Sequence, residues 1–367
     1  MEGKLNPAHF HMPVEWEMHE GTWLQWPHDD QWPGYQLKLE KSWLEMVDAL
    51  HEHENVHIIV KDERRGEHVE QQLKFFGIGG NNIDFLIIPT NDIWARDNGP
   101  IFVVNKESKL AITNWGFNGW GDRYEHEIDN QVPPRIGEEL GISVFSAPMV
   151  LEGGAVEING RGTFMATRSS IINPNRNPEK TQKDIEEIIK KYLGVKHFIW
   201  LTGAKTDDPS IGWSDDTDTH TDTVARFANE STVLYAWVEE DAEPRYSMLK
   251  KHYEELREAT NESGKPLTLV PLPVPKGGVH STSKVGAGGG IAESSAPVYT
   301  DATYTNYFVA NGVILVPVFG NVNDDRAKKI IGEQFPGREI IGINCVALSE
   351  NGGEIHCVTQ QQPVGIP

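Results

Sequence analysis

Six amphipathic helical stretches alternate with short β-rich runs along the chain, and this alternation limits the fold more than any other feature. Apolar residues recur with helical period in Gln36 to His53, Asp62 to Phe76, Glu125 to Leu140, Thr181 to Leu193, Glu243 to Thr260 and Asp324 to Phe335. Between them lie runs bounded by Gly, Pro, Asn or Asp, namely Val56 to Val60, Phe85 to Ile88, Phe198 to Leu201, Thr232 to Val238, Leu267 to Val270, Gly312 to Val318 and Glu339 to Ile343. The chain is therefore read as α/β. With the first helix set aside, helices start near 62, 125, 181, 243 and 324, a spacing of 56 to 81 residues that suggests five related units. Doubly wound folds also alternate strands and helices, with a shorter period, so spacing alone leaves both open. No Pro/Ser linker interrupts the sequence, and residues 1–367 are read as one catalytic domain.

Charge narrows the partners. Lys and Arg number 33 against 54 Asp and Glu, a formal net charge of −21. Such a surface repels nucleic-acid phosphates and anionic lipid headgroups and concentrates small cations near an acidic cleft. The two cysteines, Cys345 and Cys357, cannot form a disulfide framework. Met1 to Gly21 lacks the basic start and apolar run of a signal peptide, and no later stretch is long enough to span a bilayer. The expectation is a cytoplasmic protein with a small cationic ligand, without a nucleic-acid or membrane partner. The eight tryptophans within the first 120 residues are assigned to packing, and some are open to pairing subunits in a homo-oligomer.

Four polar clusters carry the candidate chemistry: Asn91 to Pro100, Leu151 to Gly154, Asp218 to Asp222, and Asn351 to Cys357. Cys357 follows the flexible Gly352-Gly353 pair and stands beside His356, so its thiol can be aimed into a cleft as a nucleophile. The bland alternative is a cysteine packed as a small hydrophobe, which is how Cys345 reads. His220 and Asp222 are separated by one residue and share a face if extended; the alternative is a solvated loop, because Asp207, Asp208, Asp215, Asp216 and Asp218 crowd the region. That loop lacks the Gly and terminal Glu of an EF-hand, and no second Cys or His has zinc-site spacing, so no metal is assigned. Asp97 and Glu152 taken singly are turn or capping residues. Trp94 is either core or a face on which a guanidinium stacks. Gly286 to Gly290 lacks the Lys-Ser/Thr of a phosphate loop and the third Gly of the dinucleotide fingerprint.

Together these clusters resemble the guanidine-modifying superfamily, specifically the agmatine deiminase family and its bacterial peptidylarginine deiminase relatives. The resemblance runs through Met12-Pro13-Val14-Glu15-Trp16-Glu17, Trp23-Leu24-Gln25-Trp26-Pro27, Asp92-Ile93-Trp94-Ala95-Arg96-Asp97, Glu152-Gly153-Gly154, His220-Thr221-Asp222 and Gly352-Gly353-Glu354-Ile355-His356-Cys357-Val358-Thr359-Gln360-Gln361. It implies a five-bladed pseudosymmetric α/β propeller, the pentein fold. Asp97, Glu152, His220 and Cys357 stand 55, 68 and 137 residues apart, and the last interval is two steps of about 68. One blade is then skipped, which would bring Tyr304, Thr305 or Asn306 to the site.

The resemblance also implies roles: Cys357 as nucleophile, His220 as general acid and base, Asp97 and Asp222 as clamps on a guanidinium, and Glu152 as a carboxylate orienting His220 or the substrate. Two carboxylates binding a planar cation hold its carbon in line with sulfur, and a bound cation or protonated His220 would lower the thiol pKa. No cofactor is needed. Agmatine is the expected substrate, with Asp92, Trp94 and the Asp207 to Asp218 loop holding its far amine and Asn306 near the site. A peptidylarginine deiminase and a non-catalytic guanidine binder are the alternatives; a binder needs the carboxylates but not the thiol. Thr221, Thr223 and the acidic Trp213 to Asp218 loop depart from the family pattern and leave substrate length open.

Overall fold

The computed structural model describes residues 5–28, 35–204, 215–239, 245–285 and 291–367. Five of its sheets follow one pairing rule, in which a middle strand takes an antiparallel neighbour on one side and a parallel neighbour on the other. The middle strands are His19–Gln25, Leu110–Gly116, Thr163–Thr167, Thr232–Trp237 and Val313–Val318. A parallel pair cannot be joined by a tight turn. Each middle strand is accordingly followed by a crossover helix, in order Gln36–Leu50, Val132–Leu140, Gln182–Leu193, Tyr246–Glu258 and Asp324–Gln334. This is a five-unit α/β pattern, as the helix spacing suggests. A two-stranded ribbon, Val279–Val285 with Ile291–Thr300, stands outside the rule, and the Gly286 to Gly290 loop lies outside the described residues.

Two helix assignments change. The first helix, set aside in the spacing argument, is the crossover of a repeat, while Glu63–Phe76 is an addition leading to the extra edge strand Ile83–Ile87. Both helices carry an apolar stripe, and only their strand neighbours tell them apart. The helix expected from Glu125 begins at Val132, with Pro133 in its first turn, where a missing N–H breaks no helical bond. By contrast, Gln182–Leu193 lies where its pattern placed it. Thr181 and Asp184 form a capping box, Gly194 ends the helix at φ +74°, and Ile185, Ile189, Tyr192 and Leu193 face the core.

The antiparallel neighbours are short: Ile101–Asn105, Glu157–Ile158, Ala225–Phe227, Phe308–Val309 and Thr359–Pro363. The last pairs with His19–Gln25, so both ends of the chain assemble one unit. Its Thr-Gln-Gln-Gln-Pro sequence has no apolar pattern, yet every residue is buried. Burial is tolerated because the amides are paired. Arg96 donates to Gln360 Oε1 at 2.7 Å and to Gln361 Oε1 at 2.8 Å, and Trp23 Nε1 donates to Gln362 Oε1 at 2.9 Å.

These short strands position the chemistry. Four of them are entered from single helical turns, Ala95–Asn98, Gly153–Ala155, Thr221–Thr223 and His356–Val358, and the fifth from the bend at 304–305. Among the described residues no helix is long and apolar enough to cross a membrane.

Candidate active site

The five entry turns bring Asp97, Glu152, His220, Asp222, Asn306 and Cys357 into the interior, where none exceeds 6% exposure. Asp97, His220 and Asp222 meet at the backbone of Gly154. A Cβ there would lie 2.5 Å from His220 Nδ1, 2.9 Å from Asp97 Oδ1 and 3.1 Å from Asp222 Oδ2, so only glycine fits. Gly154 N donates to Asp97 Oδ1 at 3.0 Å, and Trp120 Nε1 donates to Asp97 Oδ2 at 2.9 Å. His220 Nε2 is 3.3 Å from Glu152 Oε2, and Glu152 Oε1 accepts from Arg176 Nε at 2.6 Å. Cys357 is held by Asn306, whose Oδ1 accepts the Cys357 N–H at 3.2 Å and whose Nδ2 donates to Sγ at 3.3 Å. Gly353 leaves room above the thiol, since a Cβ there would sit 3.1 Å from Cys357 Sγ and 2.5 Å from the Trp94 ring.

The charges are arranged for a cation. Burial alone would lower the His220 pKa, but Asp97, Glu152 and Asp222 outweigh it and push it up to about 9. Burial also raises Asp97, with Asp222 and Glu152 adding to the effect against His220. Burial raises Asp222, but its hydrogen bond to His356 together with the charges of His356, His220 and Arg226 holds it low. The Cys357 thiol is pushed well up by burial and then by Asp222, Asp97 and Glu354. Without a ligand, then, the sulfur is a neutral thiol facing carboxylates. Two polar atoms, Asp222 Oδ1 and His220 Nδ1, are buried there without a hydrogen-bond partner, and a planar donor-rich cation supplies what the carboxylate lacks.

The profile of the Porphyromonas-type peptidyl-arginine deiminase family matches residues 11–363. The chain belongs to this family. An agmatine deiminase from Medicago truncatula is 32% identical over 376 residues, covering 96% of each chain. Among solved structures, the agmatine deiminase of Enterococcus faecalis, described as catalysing its reaction, superimposes with a TM-score of 0.87 at 26% identity and covers 99% of both chains. A cysteine-to-serine variant of the C. jejuni agmatine deiminase with substrate bound superimposes with a TM-score of 0.83 at 27% identity, covering 98% of this chain and 97% of that one.

Within this deiminase framework, most of the expected residues converge. Trp94 stands beside the thiol, and Asn306 occupies the skipped position. Asp92 is buried, its Oδ1 accepts from Ile93 N at 2.8 Å and its charge bears on Asp129 and Tyr124. The Asp218 carboxylate is engaged by protein groups, accepting from Arg123 at 2.9 and 3.0 Å, from Arg176 at 3.0 Å and from Asn175 at 2.9 Å, so it braces the wall. It does so at φ +59°, and Thr219, Trp120 and Asp122 also have positive φ, placing backbone strain in the two loops that Arg123 ties together. Asp207 and Asp208 lie outside the described residues.

The sequence reading missed the second layer. His356 was noted only as the neighbour of Cys357, although its ring contacts Asp222. Glu15, inside a quoted motif, contacts that ring from the other side. Arg176 joins Glu152 to Asp218 from the turn-rich Asn173 to Pro178 stretch, whose density of Asn and Pro was the available signal.

Proposed function

We propose that this chain hydrolyses the guanidinium of agmatine to N-carbamoylputrescine and ammonia, with Cys357 as nucleophile and residues 1–367 acting as one catalytic domain. The relatives named above support the substrate. The observation that carries the reading is the convergence of Asp97, Asp222 and His220 at Gly154 beside a thiol raised by burial and then by those carboxylates.

Entry of a guanidinium changes the balance at sulfur. Its N–H groups donate to Asp97 and to the free Oδ1 of Asp222, and its positive charge offsets the potential that keeps the thiol protonated. The thiol loses its proton to solvent, and the thiolate attacks the central carbon and forms the C–S bond of a tetrahedral adduct. Protonated His220, anchored at Nε2 by Glu152, gives its proton to the departing nitrogen, and the C–N bond breaks to release ammonia. A thiouronium remains. Neutral His220 then takes a proton from water, hydroxide adds to the carbon, and collapse expels the thiolate and leaves a ureido product.

The depth of the site and its Trp94 and Trp120 walls favour a small substrate over a polypeptide. The overall −21 charge attracts agmatine, a dication. The test is a substrate panel scored for ammonia and for the ureido product. Turnover of agmatine is expected, and turnover of peptidyl-arginine without agmatine would overturn the proposal.

A further inference from the structure

His356 is 1% exposed and both its ring nitrogens are engaged. Nδ1 lies 2.7 Å from Asp222 Oδ2 and Nε2 lies 2.8 Å from Glu15 Oε2. A carboxylate only accepts hydrogen bonds, so when Asp222 and Glu15 are ionised both ring nitrogens must carry hydrogen. Glu15 has every reason to be ionised. Its Oε2 also receives Arg226 Nη2 at 2.7 Å and its Oε1 receives Val309 N at 2.8 Å. Although burial raises its pKa, Arg226, His356 and Arg96 hold it well below the carboxylate range.

Arg226 is the girder of this layer. It pairs with Glu15 and Glu157, its guanidinium carbon lies 4.8 Å from the centre of the Tyr307 ring, and Nη1 donates to Tyr307 O at 2.7 Å. It also reaches Thr305 O at 3.4 Å. Those two carbonyls bracket Asn306, the residue that holds Cys357. His356 is fixed along its backbone as well, with its N–H donating to Asn306 O at 3.1 Å and its carbonyl accepting Arg96 Nε at 3.2 Å.

We propose that His356 is a positioning residue: an imidazolium strung between Asp222 and Glu15 that keeps Asp222 ionised and fixes its rotamer, leaving Oδ1 free for the guanidinium. Resting on the deiminase reading, it explains why the nucleophile follows a histidine that is turned away from sulfur. A neutral imidazole carries a single N–H and cannot donate from both ring nitrogens. Gln at 356 would set a carbonyl oxygen against one of the two carboxylates, and Asp222 would lose its anchor or its charge.

The ring itself gives the first test. Full-length protein carrying Cys357→Ser, labelled with 15N in histidine and measured without substrate, is expected to show both His356 ring nitrogens protonated at assay pH. A neutral ring with one bare nitrogen overturns the proposal. The second test is a binding cycle with agmatine in the same background. His356→Gln is expected to weaken binding about tenfold, the scale of a hydrogen bond to a charged group, and to add little once Asp222→Asn is present. Equal weakening in both backgrounds overturns the proposal, since a merely structural role would not depend on Asp222. Because the ring spectrum needs no substrate, a failure of the agmatine reading leaves that result standing.

Discussion

Asn306 holds Cys357 at both ends, accepting its backbone N–H at 3.2 Å and donating to its sulfur at 3.3 Å. A donor aimed at sulfur stabilises the thiolate more than the thiol, because hydrogen bonds to charged groups are the stronger ones. Asn306→Ala is expected to lower kcat/KM about 10- to 100-fold, and Asn306→Asp further, since it sets another carboxylate against the sulfur. Steady-state ammonia release with each variant checks this.

The raised thiol makes a prediction about the empty enzyme. Alkylation of Cys357 by iodoacetamide is expected to be slow at neutral pH and to climb about tenfold per pH unit as the thiolate fraction grows. Turnover runs the other way on the alkaline side. His220 must be protonated when ammonia leaves, so kcat should fall as pH rises through about 9. An alkylation rate already at its plateau at neutral pH contradicts the charge arrangement.

Gly154 is a tight point of the site. Gly154→Ala would press a methyl against His220 and Asp97, and a displacement near 1 Å in reacting groups costs about 100-fold in rate. That loss is expected in kcat/KM, with a melting temperature lowered by a few degrees at most. Activity within twofold of the parent would show that these groups do not meet as described.

His57 stands outside the site, between Asp84 at 2.8 Å and Glu20 at 2.9 Å. Burial alone would lower its pKa, but the two carboxylates push it up to about 9 from 6.5. The folded value is above the unfolded one, so the stabilisation is complete below the unfolded value and is lost as pH rises through the folded one. Glu20 and Asp84 are 35% and 52% exposed, and water screening reduces the contribution to roughly 1–2 kcal/mol. Thermal melts across this window should show the parent losing stability that His57→Gln never had.

What the sequence revealed and what it hid follow from how each residue is stabilised. Local signals were legible: the capping box at Thr181 and the glycine ending that helix need only neighbouring residues. Cys357, His220, Asp222, Asp97 and Glu152 were legible as reactive types in turn-rich segments, and the resemblance ordered them. Thr359–Pro363 was hidden because a buried strand of glutamines is satisfied by Arg96 and Trp23, more than two hundred residues away. The bracing of Asp218 was hidden for the same reason, because Arg123 and Arg176 reach its carboxylate from other segments. His356 stood in plain view, but its partners Glu15 and Asp222 lie 341 and 134 residues away.

The central claim is that the Cys357 sulfur forms a bond to the guanidinium carbon of agmatine. Acid quenching during turnover, followed by mass spectrometry of the digested protein, tests it most directly. The account predicts an adduct equal to agmatine less ammonia on the peptide containing Cys357, absent from the Cys345 peptide and absent in Cys357→Ser. Ammonia release at the parental rate by Cys357→Ala, with no adduct at position 357, would contradict it.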